Sequence, residues 1–111
     1  MPKLLLIEDD ETLRECCQAV LTSHGYEVVT ALELLQVEAL VPTVDGVVSD
    51  FNMGMDFQIV RSIAGRAGKP LLLMSGNPDA EKEHERFLPK PFTTSTLLRR
   101  IQDLFLVQKA A

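Results

Sequence analysis

The sequence predicts an α/β domain built on a doubly wound, five-stranded parallel sheet. Two observations carry this. Short apolar runs alternate with amphipathic segments along the whole chain, as in Leu4–Ile7, Val47–Val48 and Leu71–Met74. Those runs are continuous rather than alternating, the mark of strands covered on both faces by helices. At 111 residues there is room for one core and one domain, spanning 1–111, with no second domain beside it.

The elements follow in order. Leu4-Leu5-Leu6-Ile7 ends abruptly in Glu8-Asp9-Asp10 and reads as the first strand. Leu13, Cys16, Cys17, Val20 and Leu21 recur at helical spacing, with Gly25 as the stop. Tyr26 to Thr30 is the second strand, and Leu32 to Leu40 a short helix closed by Pro42. Gly46-Val47-Val48-Ser49 forms the third strand and ends at Asp50. Phe57, Ile59, Val60 and Ile63 mark a helix stopped near Gly65 or Gly68, and Pro70 opens a fourth strand, Leu71 to Met74, that ends at Ser75-Gly76. After a polar stretch comes a very short fifth strand, Phe87-Leu88. The last helix starts at Thr94 or Ser95 and turns Leu97, Leu98, Ile101, Leu104 and Phe105 inward. Strands alternating with helices, joined by right-handed crossovers, leave few topologies. The order 2-1-3-4-5, the flavodoxin-like arrangement, is the expectation.

Charge and composition exclude several functions. Eleven bases against sixteen acids give a net charge of −5, the wrong balance for a domain that displaces counterions from nucleic-acid phosphates. No apolar run approaches the ~20 residues of a membrane span, and the start of the chain lacks the pattern of a secretory signal. The only two cysteines, Cys16 and Cys17, are neighbours in a helix-like segment and point in different directions, so no disulfide is expected. A reducing, cytoplasmic setting is the simplest expectation. His24 and His84 belong to no cluster and read as solvated, and Arg99-Arg100 as a solvated face.

In a 2-1-3-4-5 sheet, ligands bind where the strand order reverses, at the carboxyl ends. Glu8, Asp9 and Asp10 end the first strand, Asp50 the third and Ser75 the fourth, and the fifth leads into Lys90-Pro91. Several carboxylates, a hydroxyl and an ammonium therefore converge. Crowded carboxylates repel unless a cation intervenes, and an all-oxygen set with no His or Cys suits a hard cation such as Mg²⁺, with Mn²⁺ a second candidate. Asp50 can act as a nucleophile and form an acyl phosphate, with Lys90 and Ser75 neutralising and hydrogen-bonding the phosphoryl oxygens. The assembly reads as a phospho-aspartate site. Asp10 is also a natural cap for the helix that follows, and a turn role is the lesser alternative for Ser75.

Leu-Leu-Ile-Glu8-Asp9-Asp10, Val-Val-Ser-Asp50-Phe-Asn52-Met53, Leu-Leu-Met-Ser75-Gly and Phe-Leu-Pro-Lys90-Pro91-Phe92 resemble the successive signatures of a two-component response-regulator receiver domain. The stretch from Met74 to Phe92 most resembles receivers fused to hybrid histidine kinases. The resemblance implies that Asp50 accepts a phosphoryl group from the phosphohistidine of a kinase or phosphotransfer protein. It implies that Asp9 ligates Mg²⁺ directly and Glu8 through water, with Asp50 and the Asn52 backbone carbonyl completing the set. Ser75 and Lys90 would contact the phosphoryl oxygens. Phe87 stands where the family places its switch aromatic, although it reads equally well as core. Asn52 and Asn77 stand where the phospho-aspartate lifetime is tuned, and the Lys90-Pro91 bond is expected to be cis. Such a domain is a signalling phosphoacceptor rather than an enzyme, and it carries no output domain.

Two departures from the family pattern stand out. The Asp-x-x-Met-Pro-x-Met-Asp-Gly loop is one residue shorter here, with Gly54 in place of proline, which loosens the loop that sets the Asn52 carbonyl. Between Ser75 and Lys90 the chain is short by about two helical turns and shows no apolar face. The fourth helix is therefore expected to be missing or reduced to a mobile turn, which weakens the family's usual output and dimerisation face. Two rivals remain. A Mg²⁺-dependent phosphatase with an Asp nucleophile needs an acid two residues on, where this chain has Asn52. A pseudo-receiver would keep the fold as an interaction module and take no phosphoryl group.

Overall fold

The structure is a computed structural model that describes residues 2–51 and 57–110, with side chains through residue 106. Asn52, Met53, Gly54, Met55 and Asp56 lie outside the described residues, and with them the expectations for Asn52 and the Gly54 loop. Five parallel strands, β1 (Lys3–Ile7), β2 (Glu27–Thr30), β3 (Gly46–Asp50), β4 (Leu71–Ser75) and β5 (Phe87–Pro89), lie in the order β2-β1-β3-β4-β5. The helices are α1 (Glu11–Ser23), α2 (Leu34–Leu40), α3 (Phe57–Arg66) and α4 (Thr94–Ala110).

Alternation along each central strand divides the core into two layers. Leu5, Ile7, Val47, Leu71 and Leu73 face Val37 of α2 and Phe57, Val60 and Ile63 of α3. Leu4, Leu6, Val48, Leu72 and Met74 face Cys17 and Leu21 of α1 and Leu97, Ile101 and Leu104 of α4. Each fully buried side chain of this size adds roughly 1.5–3 kcal/mol relative to exposure. β1, β3 and β4 are buried on both faces, which is why their sequences are unbroken apolar runs.

The ends of the helices show why the breaks fall where they do. Asp10 caps α1, its side chain accepting the Leu13 N–H at 3.1 Å. Gly25 and Gly68 take left-handed φ values of 93° and 69° just past α1 and α3, a conformation glycine adopts without strain. Gly65 is an ordinary residue within α3. α2 starts at Leu34, two residues later than its apolar pattern suggests. The Gln36 side chain reaches back to the N–H groups of Leu32 and Glu33 and fixes them outside the helix. Pro42 sits inside a 3-10 helix, Val41–Thr43, that continues the turn.

The fourth helix of the pattern is reduced to a 3-10 helix, Pro78–Glu83, within a strap that joins β4 to β5. Three readings are corrected here. The strap does bury an apolar residue, Ala80, in the core layer of Phe57 and Leu71. His84 is half-buried rather than solvated: its Nε2 lies 2.7 Å from the Leu71 carbonyl and its ring stands edge-on to Phe57 at 5.9 Å. A carbonyl only accepts, so Nε2 carries the proton. Arg100 is corrected likewise, because it is half-buried and donates to the Phe87 carbonyl. Arg99 is exposed as anticipated. The Lys90-Pro91 bond is cis.

Burial lowers the His84 pKa from its ordinary 6.5, partly offset by the Leu71 carbonyl. Below about pH 6.5 the unfolded chain binds a proton that the folded one still refuses. Stability should therefore fall with pH from 6.5 downward, by at most about 1.4 kcal/mol per unit for this one group. Urea midpoints between pH 5 and 7.5, with His84→Gln alongside, check this: the variant should lose that part of the slope, and identical slopes would refute it.

Candidate functional site

Parallel pairing brings the candidate residues to one edge of the sheet. Ile7 pairs with Ser49, so Glu8 and Asp50 emerge side by side at the ends of β1 and β3. Asp50 pairs with Met74, which puts Ser75 one step further along β4, and Ser75 pairs with Pro89. The Lys90 N–H then donates to the Ser75 carbonyl at 2.9 Å and fixes the start of the β5–α4 loop.

Lys90 is the centre of the site. Its ammonium donates to Glu8 Oε1 at 2.6 Å and to Asp50 Oδ1 at 2.9 Å. Glu8 is 1% and Asp50 6% exposed, so both carboxylates are paired where water cannot solvate them well. Asp9 is exposed, yet one oxygen from each of Glu8, Asp9 and Asp50 falls within a group 4.8 Å across. Three carboxylates facing one ammonium leave net negative charge, and an all-oxygen donor set suits a hard divalent cation.

The electrostatics follow from burial and pairing. Burial raises the Glu8 pKa above its ordinary value, against the lowering effect of its bonds from Lys90 and the Asp10 N–H. Burial also works against the Lys90 ammonium, but the hydrogen bonds to Glu8 and Asp50 outweigh it and its pKa is raised. Lys90 therefore stays charged.

The other candidates are placed as follows. Ser75 is buried, and its Oγ accepts the Asn77 N–H at 3.0 Å. Asn77 uses its side chain to cap the strap's 3-10 helix, accepting from the Asp79 N–H at 3.0 Å. Phe87 is 8% exposed and packs in the core layer of α2 and α3. Asp10 takes the capping role. Cys17 is buried and its thiol is pushed up to about 11, first by burial and then by the neighbouring Cys16 and Glu8, which makes it unreactive at neutral pH. Cys16 is exposed and lines a groove beside Lys90 with Leu13, Pro91 and Phe92.

Arg14 was not legible as a site residue. Its guanidinium donates to the Glu8 carbonyl at 3.0 Å and steadies the turn that carries Glu8 and Asp9. The available signal was its position, one helical turn after the cap Asp10, which returns it to the end of β1.

Fold and site together define the class: this chain is a receiver domain of the response-regulator family. It is similar to regulatory protein VirG of Agrobacterium fabrum, with 32% identity over 89% of this chain and 44% of that protein. VirG of Rhizobium rhizogenes is 30% identical over 92% of this chain and 47% of its own length. The chain thus spans less than half of these curated relatives. Among solved structures, the receiver domain of the hybrid histidine kinase CckA matches with a TM-score of 0.76 and 29% identity, over 92% of this chain and 97% of that one. The chemotaxis response regulator CheY4 of Vibrio cholerae matches at 0.79 and 29%, over 94% and 98%. No protein-family model matches the sequence. Among the described residues, no helix is long and apolar enough to cross a membrane.

Proposed function

We propose that residues 1–111 act as one phosphoacceptor switch in a two-component or phosphorelay system, with Asp50 as the acceptor. The observation that carries this is the Lys90 ammonium bound at once to Glu8 and Asp50, with Asp9 alongside. One Asp50 oxygen attacks the phosphorus of a phosphohistidine on a kinase or phosphotransfer protein. The P–O bond of an acyl phosphate forms, the P–N bond breaks, and the imidazole leaves with the electron pair and takes up a proton.

Glu8, Asp9 and Asp50 are the side chains that would hold Mg²⁺, with Mn²⁺ the second candidate; bound there, the ion supplies positive charge opposite the phosphoryl oxygens. By the family resemblance Asn52, which lies outside the described residues, would join the set through its backbone carbonyl. Lys90 turns from pairing Asp50 to pairing the new phosphoryl group, and the Ser75 hydroxyl donates to a second phosphoryl oxygen. Phe87 follows Ser75 as the switch aromatic, and Asn52 and Asn77 set how easily water reaches the acyl phosphate. The groove of Leu13, Cys16, Pro91 and Phe92 gives a protein donor apolar footing next to Lys90. The added charge is the signal, and a partner reads the rearranged surface.

Incubation with acetyl phosphate and Mg²⁺, followed by rapid quenching and intact-mass measurement, tests this. One phosphoryl adduct, abolished by EDTA, is the expected result. No adduct under fast quenching would instead make the domain an unphosphorylated interaction module.

A further inference from the structure

The strap from Gly76 to Arg86 joins Ser75 to Phe87, so its two ends are the hydroxyl at the end of β4 and the aromatic that opens β5. Its near end is light: the Asn77 N–H on Ser75 Oγ at 3.0 Å and the Asn77 side chain on the Asp79 N–H. Ala80 pins the middle in the core. The far end is held across the sheet, by Arg61 Nη1 on the Glu83 carbonyl at 2.9 Å and by His84 on the Leu71 carbonyl at 2.7 Å. The His84 ring also rests edge-on against Phe57, and Phe57 packs against Phe51 at 5.6 Å, the residue that follows Asp50. A line of ring contacts therefore runs from Phe51, next in the chain to Asp50, to the strap.

We propose that His84 is a positioning residue: its bond to the Leu71 carbonyl clamps the strap to the start of β4 and so holds the Ser75 hydroxyl and Phe87 in register with the acidic cluster. Where a longer helix would hold itself down by its own apolar face, this strap has little beyond Ala80 to bury, and polar contacts to main-chain carbonyls take over. Without the clamp the strap opens locally at low cost, and Asn77 leaves Ser75 with it. The ring and the donor are separable: phenylalanine keeps the packing on Phe57 but leaves the Leu71 carbonyl unpaired, whereas glutamine keeps an N–H donor.

The effect on phosphoryl chemistry rests on the function proposed above, and the clamp itself does not. Amide hydrogen exchange at pH 7.5 on the whole chain reads the clamp directly. His84→Phe should raise exchange at Asn77, Asp79 and Ala80 by about tenfold or more, with Leu5 and Val47 in the central strands unmoved. His84→Gln should stay within about threefold of wild type. In the second arm, acetyl phosphate and Mg²⁺ load the protein, and His84→Phe should change the rate of phosphoryl loss by about threefold or more, with His84→Gln near wild type. Unchanged exchange at Asn77 in His84→Phe overturns the clamp. Raised exchange with an unchanged rate of phosphoryl loss overturns the positioning role and leaves His84 merely structural. A wild-type protein that takes no phosphoryl group sinks the phosphoacceptor reading instead, and exchange at Asn77 still decides the clamp.

Discussion

Asp50→Ala is expected to take up no phosphoryl group under conditions that fully modify the wild type, a loss of at least about 10³-fold in rate. Neither neighbouring acid can substitute. Glu8 is buried, with one oxygen on Lys90 and the other accepting the Asp10 N–H, so it is held against these donors and shielded from an incoming phosphoryl group. Asp9 is exposed and has no bond to Lys90 that would orient an incoming phosphoryl group against it. The loss should not reflect unfolding. Asp50 is one of the charges that raise the Glu8 pKa, so removing it relieves repulsion and leaves Lys90 paired with Glu8. Intact-mass measurement alongside urea unfolding checks both halves. An adduct that persists and maps to Asp9 would refute the assignment.

Lys90→Ala carries the second large effect, in two currents. Phosphoryl transfer to Asp50 should slow by about 10²-fold or more, since the donor aimed at the developing charge is gone. Stability should change in a pH-dependent way. Removing one partner of a buried ion pair costs about 3–5 kcal/mol if the other stays charged. Glu8 avoids part of that by holding a proton, because losing the Lys90 hydrogen bond raises further a pKa that burial has already lifted. A carboxyl whose folded pKa stands above its unfolded value favours folding below the unfolded pKa, and that advantage is lost as pH rises through the folded one. Wild type and variant lose stability alike just above 4.5, and the variant should fall behind once pH passes the wild type's own raised Glu8 pKa. Denaturant midpoints from pH 4.5 to 8 measure it, and a gap between the two proteins that does not widen with pH would contradict it.

Much of the fold was legible because its signals are local in the chain. Leu4–Ile7 and Leu71–Met74 can be buried on both sides only in the middle of a parallel sheet, and that sheet delivers Glu8, Asp50, Ser75 and Lys90 to one edge without further information. Arg14, His84 and Arg100 were not legible for a shared reason. Each bonds to a main-chain carbonyl, of Glu8, Leu71 and Phe87 respectively, and every residue has a carbonyl. His84 and Arg100 also reach across 13 positions to partners that only the folded strands bring near. The start of α2 was misplaced for a smaller reason, since Leu32 fits the helical period but the Gln36 side chain claims its N–H.

The short fifth strand has a consequence for how the domain behaves at high concentration. β5 is an edge of the sheet, and an open edge invites a strand from another molecule and, from there, aggregation. The Leu73 N–H takes the Arg86 carbonyl and the Lys90 N–H takes the Ser75 carbonyl, so on this register Phe87 and Pro89 turn their main-chain polar groups outward. Arg100 occupies the outward carbonyl of Phe87, and Pro89 has no N–H to offer. A foreign strand arriving at this border would find the Phe87 carbonyl already paired and no N–H at Pro89, which leaves it the Phe87 N–H and the Pro89 carbonyl alone. One arginine and one proline thus halve the pairing that the edge beside the switch offers to uncontrolled polymerisation.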